Sequence, residues 1–397
     1  MESEGVEVRV IYFTRSYNTH DHRFLASLAG AGLDVFYLPL ESAARQQEAR
    51  PLPAGVKRIE WRGGKSPARW IDYPALIQDL KRVIREVQPD LIHAGPVHRS
   101  AFVAAAAGFH PLLTMSWAAD ILYEAEKNPW MHWTSAYTLS HTDILAGDCR
   151  AVEDKAAEYG FPRDRVVLFP WGIDLQKFQP GRNDALRQQL GWQDNFIVLS
   201  LRSWEAVYGV DVVLKAFAQA SRQVPQLRLL LLGGGSRSEQ VHQLIHDYHL
   251  EKLVKLPGQV GQEQLSDYYH AADAYLTASH SDGSSVTLME ALACGLPVVV
   301  SDIAGNVEWM QSDEHASGYC PQEACAQTWT PGWVFRDGDT NGAADCLVKA
   351  FEEADRRPKR QAANRRLAEQ RADWGKNFKV LLGAYDRAVT LAGKSHE

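Results

Sequence analysis

The stretch HSDGSSVTLMEALACGLPVVVSDIAGNVEWM, residues 280–310, concentrates the residue types that can hold a phosphorylated sugar. Asp282 and Glu290 stand eight residues apart, with Gly283, Ser284, Ser285, Val286 and Thr287 between them. Asp282 falls in a polar loop. Glu290 falls about one turn into an apolar helical run that Gly295 and Pro297 stop. Gly283 lets a ligand approach the main chain closely. Free N–H groups and the positive end of such a helix suit a diphosphate, and a carboxylate can take both hydroxyls of a ribose. Two plainer readings stand beside this one. Thr287-x-x-Glu290 matches a capping box, in which Glu290 only satisfies backbone N–H groups, and Asp282 could be a solvated loop charge.

Two further clusters invite chemistry. GGG (233–235) follows a strand-like run but lacks the third glycine of a dinucleotide loop and sits mid-chain, so a tight turn is the reading and NAD binding is rejected. His315, Cys320 and Cys325 lie in the long stretch 311–332. Their C-x(4)-C spacing is loose for zinc and no fourth ligand is apparent, so no metal is expected.

The elements that must position these residues read as two βα series. In the first, VRVIYF (8–13), DVFYLPL (34–40), DLIHAG (90–95), LLTMSW (112–117), DILAG (143–147) and VVLFPWG (166–172) are strand candidates. Helical patterns at 20–32 and 73–88 stand among them, the second stopped by Pro89. FQPGRNDALRQQLGWQDN (178–195) reads as a linker. The second series holds NFIVLSLR (195–202), LRLLLLGGG (227–235), VKLPGQV (254–260), AYLTASH (274–280) and PVVVSD (297–302), and the chain ends in a long helical pattern. Strands alternating with helices imply right-handed crossovers and parallel sheets. The expected fold is therefore α/β, with two doubly wound Rossmann-like domains at 1–180 and 181–370 facing a central cleft. A C-terminal helix, 371–397, crosses back to the first domain. Ligands in such sheets bind at the carboxyl ends of the strands.

Composition excludes other classes. The 397 residues carry 42 Lys/Arg and 49 Asp/Glu, a formal charge of −7. Neither half is basic, which argues against nucleic acid as a partner. No apolar run reaches the ~18 residues of a membrane helix. No leader is expected at the acidic start, and five scattered cysteines do not form a disulfide framework, so a cytoplasmic location is expected.

The chain resembles the family 4 retaining glycosyltransferases of the GT-B fold. The likeness rests on the Asp282–Glu290 segment, EALACGLPVV, GNVEW, PDLIHA (89–94), PWGIDLQKF (170–178), GVDVVLKAF (209–217), LLLLGGG (229–235) and GWVFRDGD (332–339). It implies that Glu290 binds the nucleotide ribose and that Asp282, where the family has Glu, contacts the donor sugar. Residues 283–287 would offer N–H groups to sugar and diphosphate. Arg202 matches the first of two diphosphate-gripping cations. The second, usually Lys, is missing, and Tyr208 stands near its place. Arg237 is either a substitute charge or a surface arginine. Gly234 is expected near the phosphates, and the backbone around Val260 near the base. In the first domain the loop TRSYNTHDHRF (14–24) replaces the usual glycines. It places His20 and Asp21 at a helix start, where Asp21 is equally a cap. His93 and His98 are expected to line an acceptor pocket. Trp117, with Asp120 after it, takes the place of a family histidine. Trp130, His132 and Trp133 form an aromatic cluster whose default role is core packing, with carbohydrate stacking or a peripheral membrane contact as the other readings.

The resemblance implies transfer of a hexose-type sugar from a UDP- or GDP-sugar to a hydroxyl acceptor, with retention. No metal and no cofactor beyond the donor are implied. Arg202 and the helix end would stabilise the departing diphosphate, and the diphosphate itself would take the acceptor proton. A nucleotide-sugar epimerase on the same fold, or a non-catalytic nucleotide-sugar binder, are the competing readings.

Overall fold

A computed structural model describes residues 8–42, 48, 50–65, 67–310 and 331–394. The stretch with His315, Cys320 and Cys325 lies outside them. The chain divides into two compact units, one of residues up to Phe169 with Phe378 onward, the other Pro170–Asn377. The segment 170–180, assigned to the first domain from sequence, thus packs with the second.

Among the described residues the first unit holds a seven-stranded parallel sheet. Its strands are β1 (Arg9–Thr14), β2 (Asp34–Pro39), β3 (Val56–Arg58), β4 (Leu91–Ala94), β5 (Leu112–Met115), β6 (Ile144–Gly147) and β7 (Val166–Leu168). The second unit holds six: β8 (Phe196–Ser200), β9 (Leu227–Leu232), β10 (Val254–Gly258), β11 (Ala274–Thr277), β12 (Val298–Ser301) and β13 (Gly332–Phe335). The spatial orders are β3-β2-β1-β4-β5-β6-β7 and β10-β9-β8-β11-β12-β13. Each reverses direction once, between β1 and β4 and between β8 and β11. In doubly wound sheets, the crevice at that reversal is where ligands bind.

Period-two alternation distributes the strand residues of the second unit to two cores. Val198, Leu229, Leu231, Leu276 and Val299 face one helical layer. Ile197, Leu199, Leu230, Leu232, Tyr275, Val298 and Val300 face the other. Strands covered on both faces read as near-continuous apolar runs, as LRLLLL does apart from Arg228. The second core is completed by Leu288, Met289, Ala291 and Leu292 of the helix Val286–Ala293, which anchor that helix beneath the strand ends.

Candidate active site

In the second unit the sheet reversal determines which side chains meet. The loop after β8 carries Arg202 and the loop after β11 carries Asp282, so adjacent strands deliver opposite charges to one point. Arg202 Nη2 lies 2.7 Å from Asp282 Oδ2, with the side chains 15 % and 17 % exposed. Arg202 Nη1 donates to Ser285 Oγ at 3.0 Å and reaches Thr287 Oγ1 at 3.4 Å. Burial disfavours the guanidinium charge, but Asp282 and Tyr208 outweigh it and raise its pKa. Burial raises the Asp282 carboxyl above the usual range, while Arg202 and the Gly283 N–H pull it back.

Tyr208 takes a different part from a lysine. Its ring lies under the guanidinium, 4.2 Å from Arg202 Cζ to the centroid. This cation–π contact orients the arginine instead of adding a second charge.

Glu290 is 2 % exposed and sits in the second turn of its helix. The helix starts at Val286, so Thr287 is inside it and Thr287-x-x-Glu290 does not form a capping box. Glu290 Oε2 instead accepts a 2.7 Å hydrogen bond from Tyr269 Oη, which also donates to the Thr287 carbonyl at 3.1 Å. Tyr275 Oη bonds Thr287 Oγ1 at 2.7 Å. Ser285, just before the helix, provides no side-chain cap, and its hydroxyl is engaged with Arg202. The first turn therefore presents its dipole without the usual side-chain partner. Ser284 Oγ accepts from Trp309 Nε1 at 3.2 Å. Helix Ala304–Met310 presses on the same loop so closely that a Cβ on Gly305 would stand 2.3 Å from the Gly283 carbonyl oxygen and 2.7 Å from that of Asp282. Tyr269, Tyr275 and Gly305 thus shape the site, although spacing alone singles out none of them.

The remaining donor-side candidates lie around this centre. The Gly233 N–H bonds the Gly258 carbonyl at 2.9 Å, joining the GGG turn to the strand leading to half-buried Val260. Gly234 is open, with only Gln259 within 4 Å of a hypothetical Cβ, at 3.9 Å. Arg237 is exposed and donates to Gln240 Oε1 at 3.1 Å, the arrangement of a surface arginine.

The first unit corrects several expectations. His93 and His98 have no exposed surface, so neither lines an open pocket. His93 Nδ1 lies 2.6 Å from Tyr385 Oη, and burial holds the imidazole down at about 3. His98 Nε2 lies 3.1 Å from Glu124 Oε2, and this bond, working against burial, lowers the Glu124 carboxyl to about 2. Asp120 is 4 % exposed and is consumed locally. It accepts from the Val97 N–H at 2.7 Å, Ser116 Oγ at 2.7 Å, and the N–H groups of Trp117 and Ile121 at 3.0 Å. These bonds hold Ala118 at φ 58°, ψ −63°, a tight turn closed by Ala119 N–H to the Trp117 carbonyl at 2.7 Å. Such a conformation costs a non-glycine residue roughly 1–3 kcal/mol, and the four Asp120 bonds offset it. The turn sets half-buried Trp117 against His20, ring centroids 5.7 Å apart.

Asn18, not Asp21, is the N-cap of helix Thr19–Gly30. Asp21 completes the capping box by accepting from the Asn18 N–H at 3.0 Å, and Tyr12 Oη donates to it at 3.2 Å. Asp21 is fully buried, and burial pushes its carboxyl up to about 7 against the pull of those bonds. Among the described residues, no group of three or more His, Cys, Asp or Glu is arranged to hold a metal ion. No helix there is long and apolar enough to cross a membrane.

Comparison with known proteins agrees with this geometry. Residues 2–172 match the glycosyl transferase 4-like domain and residues 182–330 the glycosyl transferases group 1. The D-inositol 3-phosphate glycosyltransferase of Xylanimonas cellulosilytica is 27 % identical over 257 residues, 62 % of this chain and 57 % of that protein. The chain thus matches a little over half the length of this relative. Among solved structures, HepE of Anabaena in complex with UDP superposes with a TM-score of 0.75 at 18 % identity, covering 96 % of this chain and 100 % of that one. The sucrose-phosphate synthase of Thermosynechococcus elongatus gives 0.78 at 19 %, covering 96 % and 99 %. With both sheets in the doubly wound order and both halves matched, the chain belongs to the family 4 glycosyltransferases of the GT-B fold.

Proposed function

We propose that this chain is a retaining glycosyltransferase that moves a hexose-type sugar from a UDP- or GDP-sugar to a hydroxyl acceptor, without a metal ion, from the cytoplasm. The observation that carries the reading is the Arg202–Asp282 pair at the reversal of the second sheet, beside a helix start with no side-chain cap and with Glu290 in its second turn. UDP in the HepE structure supports a uridine nucleotide as the first donor to try.

In this reading Glu290 accepts from the ribose hydroxyls, with Tyr269 fixing the carboxylate. Arg202 and the first turn of helix Val286–Ala293 stabilise the negative charge that grows on the leaving diphosphate. Gly283 and the exposed edge of the GGG turn at Gly234 let the phosphates approach the main chain. Asp282 lies beside the reacting carbon, where a carboxylate stabilises an oxocarbenium-like centre. The diphosphate oxygen takes the acceptor proton on the same face as its departure, which gives retention. His20 and Trp117 are assigned to the acceptor. A calorimetric panel of UDP, GDP and their sugars tests the reading. Binding of at least one nucleotide, lost in Glu290→Ala while the fold persists, is the expected result. Unchanged affinity in that variant removes Glu290 from the site and the proposal with it.

A further inference from the structure

The reversal of the first sheet brings two arginines to one phenol. Arg15 directly follows β1, and Arg99 lies in the turn that follows β4. β1 and β4 are hydrogen-bonded neighbours, and the crevice outside the carboxyl ends of such a pair is where a doubly wound sheet takes a ligand. The turn itself, Val97–Ala101, is wound as a π-helix, a rare form that is frequent at functional sites. Tyr73, at the start of helix Tyr73–Val87, feels both arginines. Burial raises its pKa and Glu41 adds to the rise, while Arg99 and Arg15 pull it back.

The carboxylates nearby are already matched, and Arg99 is left over. Glu41 pairs with Arg15 Nε and accepts from the Ala68 N–H at 2.9 Å. Glu124 is held by His98 at 3.1 Å and by Lys127 at 3.7 Å. Asp120 is consumed by its four donors, and Asp72 pairs with Arg69 at 3.2 Å. Among the described residues Arg99 enters no ion pair. Its half-buried guanidinium lies over the Trp70 ring, 5.1 Å from Cζ to the centroid, and its Nε is buried with no hydrogen-bond partner. Tyr73 is 3 % exposed, and its Oη has no well-formed hydrogen bond either. Trp70 in turn meets Trp130 edge-on at 5.3 Å. Trp130 is 45 % exposed and not the core residue that sequence reading makes it, so this stack stands at the surface.

A guanidinium stacked on a ring keeps its N–H edge for an oxyanion, which it grips with two parallel bonds. Buried donors left unmatched are destabilising, and an oxyanion matches them. We propose that Arg99, with Tyr73 and Arg15, forms an oxyanion-binding site on the first unit. Glu41 partly neutralises Arg15, so Arg99 supplies most of the recognition. The identity of the occupant rests on the sugar-transfer reading: the oxyanion is a phosphate or carboxylate borne by the hydroxyl acceptor, which is then an acidic molecule and not a neutral sugar. The site itself can hold or fail without that reading.

The test is calorimetric titration of inorganic phosphate, and separately of acetate, into the full chain at constant ionic strength, with UDP present to fill the helix start of the second unit. The wild type is expected to bind at least one probe, and the tighter of the two identifies the acidic group. Arg99→Gln should weaken that binding by about tenfold or more and leave UDP affinity unchanged. Arg99→Lys, which keeps the charge but not the stacked fork, should fall between the two. Arg202→Gln, titrated without UDP, should bind the probe as tightly as wild type, which separates this site from the diphosphate site. Arg99→Met keeps the packing on Trp70 and removes the unmatched N–H groups, so it should melt at or above the wild-type temperature. Wild type that binds neither probe overturns the proposal. So does an Arg99→Gln affinity equal to wild type, or an Arg99→Met that melts several degrees lower, the mark of a purely structural arginine. Wild type that binds a probe but not UDP supports the oxyanion site and refutes the sugar-transfer reading alone.

Discussion

Asp282→Asn separates two roles that share one ion pair. In the free protein Asp282 occupies the guanidinium group that the diphosphate needs, at 2.7 Å and largely out of water. Close charge pairs held out of water couple by about 1.5 kcal/mol or more. Asparagine keeps the shape and an oxygen acceptor but loses the charge, so most of that competition should disappear. Arg202 remains held by Ser285 Oγ and the Tyr208 ring. The expected result is UDP binding tightened by about tenfold, equivalent to about 1.4 kcal/mol. Turnover should move the other way, by about 100-fold or more, because a carboxylate that stabilises a developing cation is gone. Calorimetry with UDP and a coupled assay of UDP release from the best donor measure the two quantities. If Asp282→Asn binds UDP more weakly than wild type, Asp282 does not compete for Arg202 and the mechanism drawn from the pair is wrong.

Other outcomes follow from neighbouring contacts. Glu290→Gln, which can still accept from Tyr269, should lose less nucleotide affinity than Glu290→Ala, whose loss should be about tenfold or more. Equal losses by calorimetry would show that the Tyr269 bond is irrelevant. Gly305→Ala drives a Cβ into the Gly283 and Asp282 carbonyls and should cost about 1–3 kcal/mol. A melting temperature and donor affinity both matching wild type would contradict that packing. Burial pushes the folded Asp21 carboxyl up to about 7, well above the usual 3.8. The folded state therefore binds more protons than the unfolded one between those values, and stability falls as pH rises through that window. Asp21→Asn should gain on wild type in melting temperature from about pH 4 to about pH 7, and a pH-independent difference would refute the assignment.

Much of the fold was legible because strands buried on both faces announce themselves. LRLLLL and PVVVSD could hardly be anything else. β3 is three residues long at a sheet edge, and β13 is four residues that begin with a glycine, so neither shows as a strand by pattern. The candidate carboxylates could be picked out by type and spacing, and Arg202 by the resemblance to the family. Their partners could not, since Tyr269 reaches Glu290 across 21 residues and from another helix. The histidines misled for a physical reason. His93 and His98 end a strand where ligands often sit, but whether such a side chain turns inward depends on Tyr385 and Glu124, distant in sequence. Asp120 looked like a site acid because the demand of four backbone and hydroxyl donors is invisible in the chain.

The way the chain enters and leaves the second unit carries a further meaning. Ile173 and Asp373 form a parallel bridge, with the Ile173 N–H on the Ala372 carbonyl at 2.7 Å and the Trp374 N–H on the Ile173 carbonyl at 3.1 Å. The two crossings are thus clasped side by side, and everything from Pro170 to Asn377 is topologically a closed excursion from the other unit. A module whose ends already touch can be lifted out, grafted into a foreign loop, or rejoined end to end with little loop-closure penalty. The second unit is in that sense portable, and the clasp that closes it, Ile173 against Asp373, lies within it.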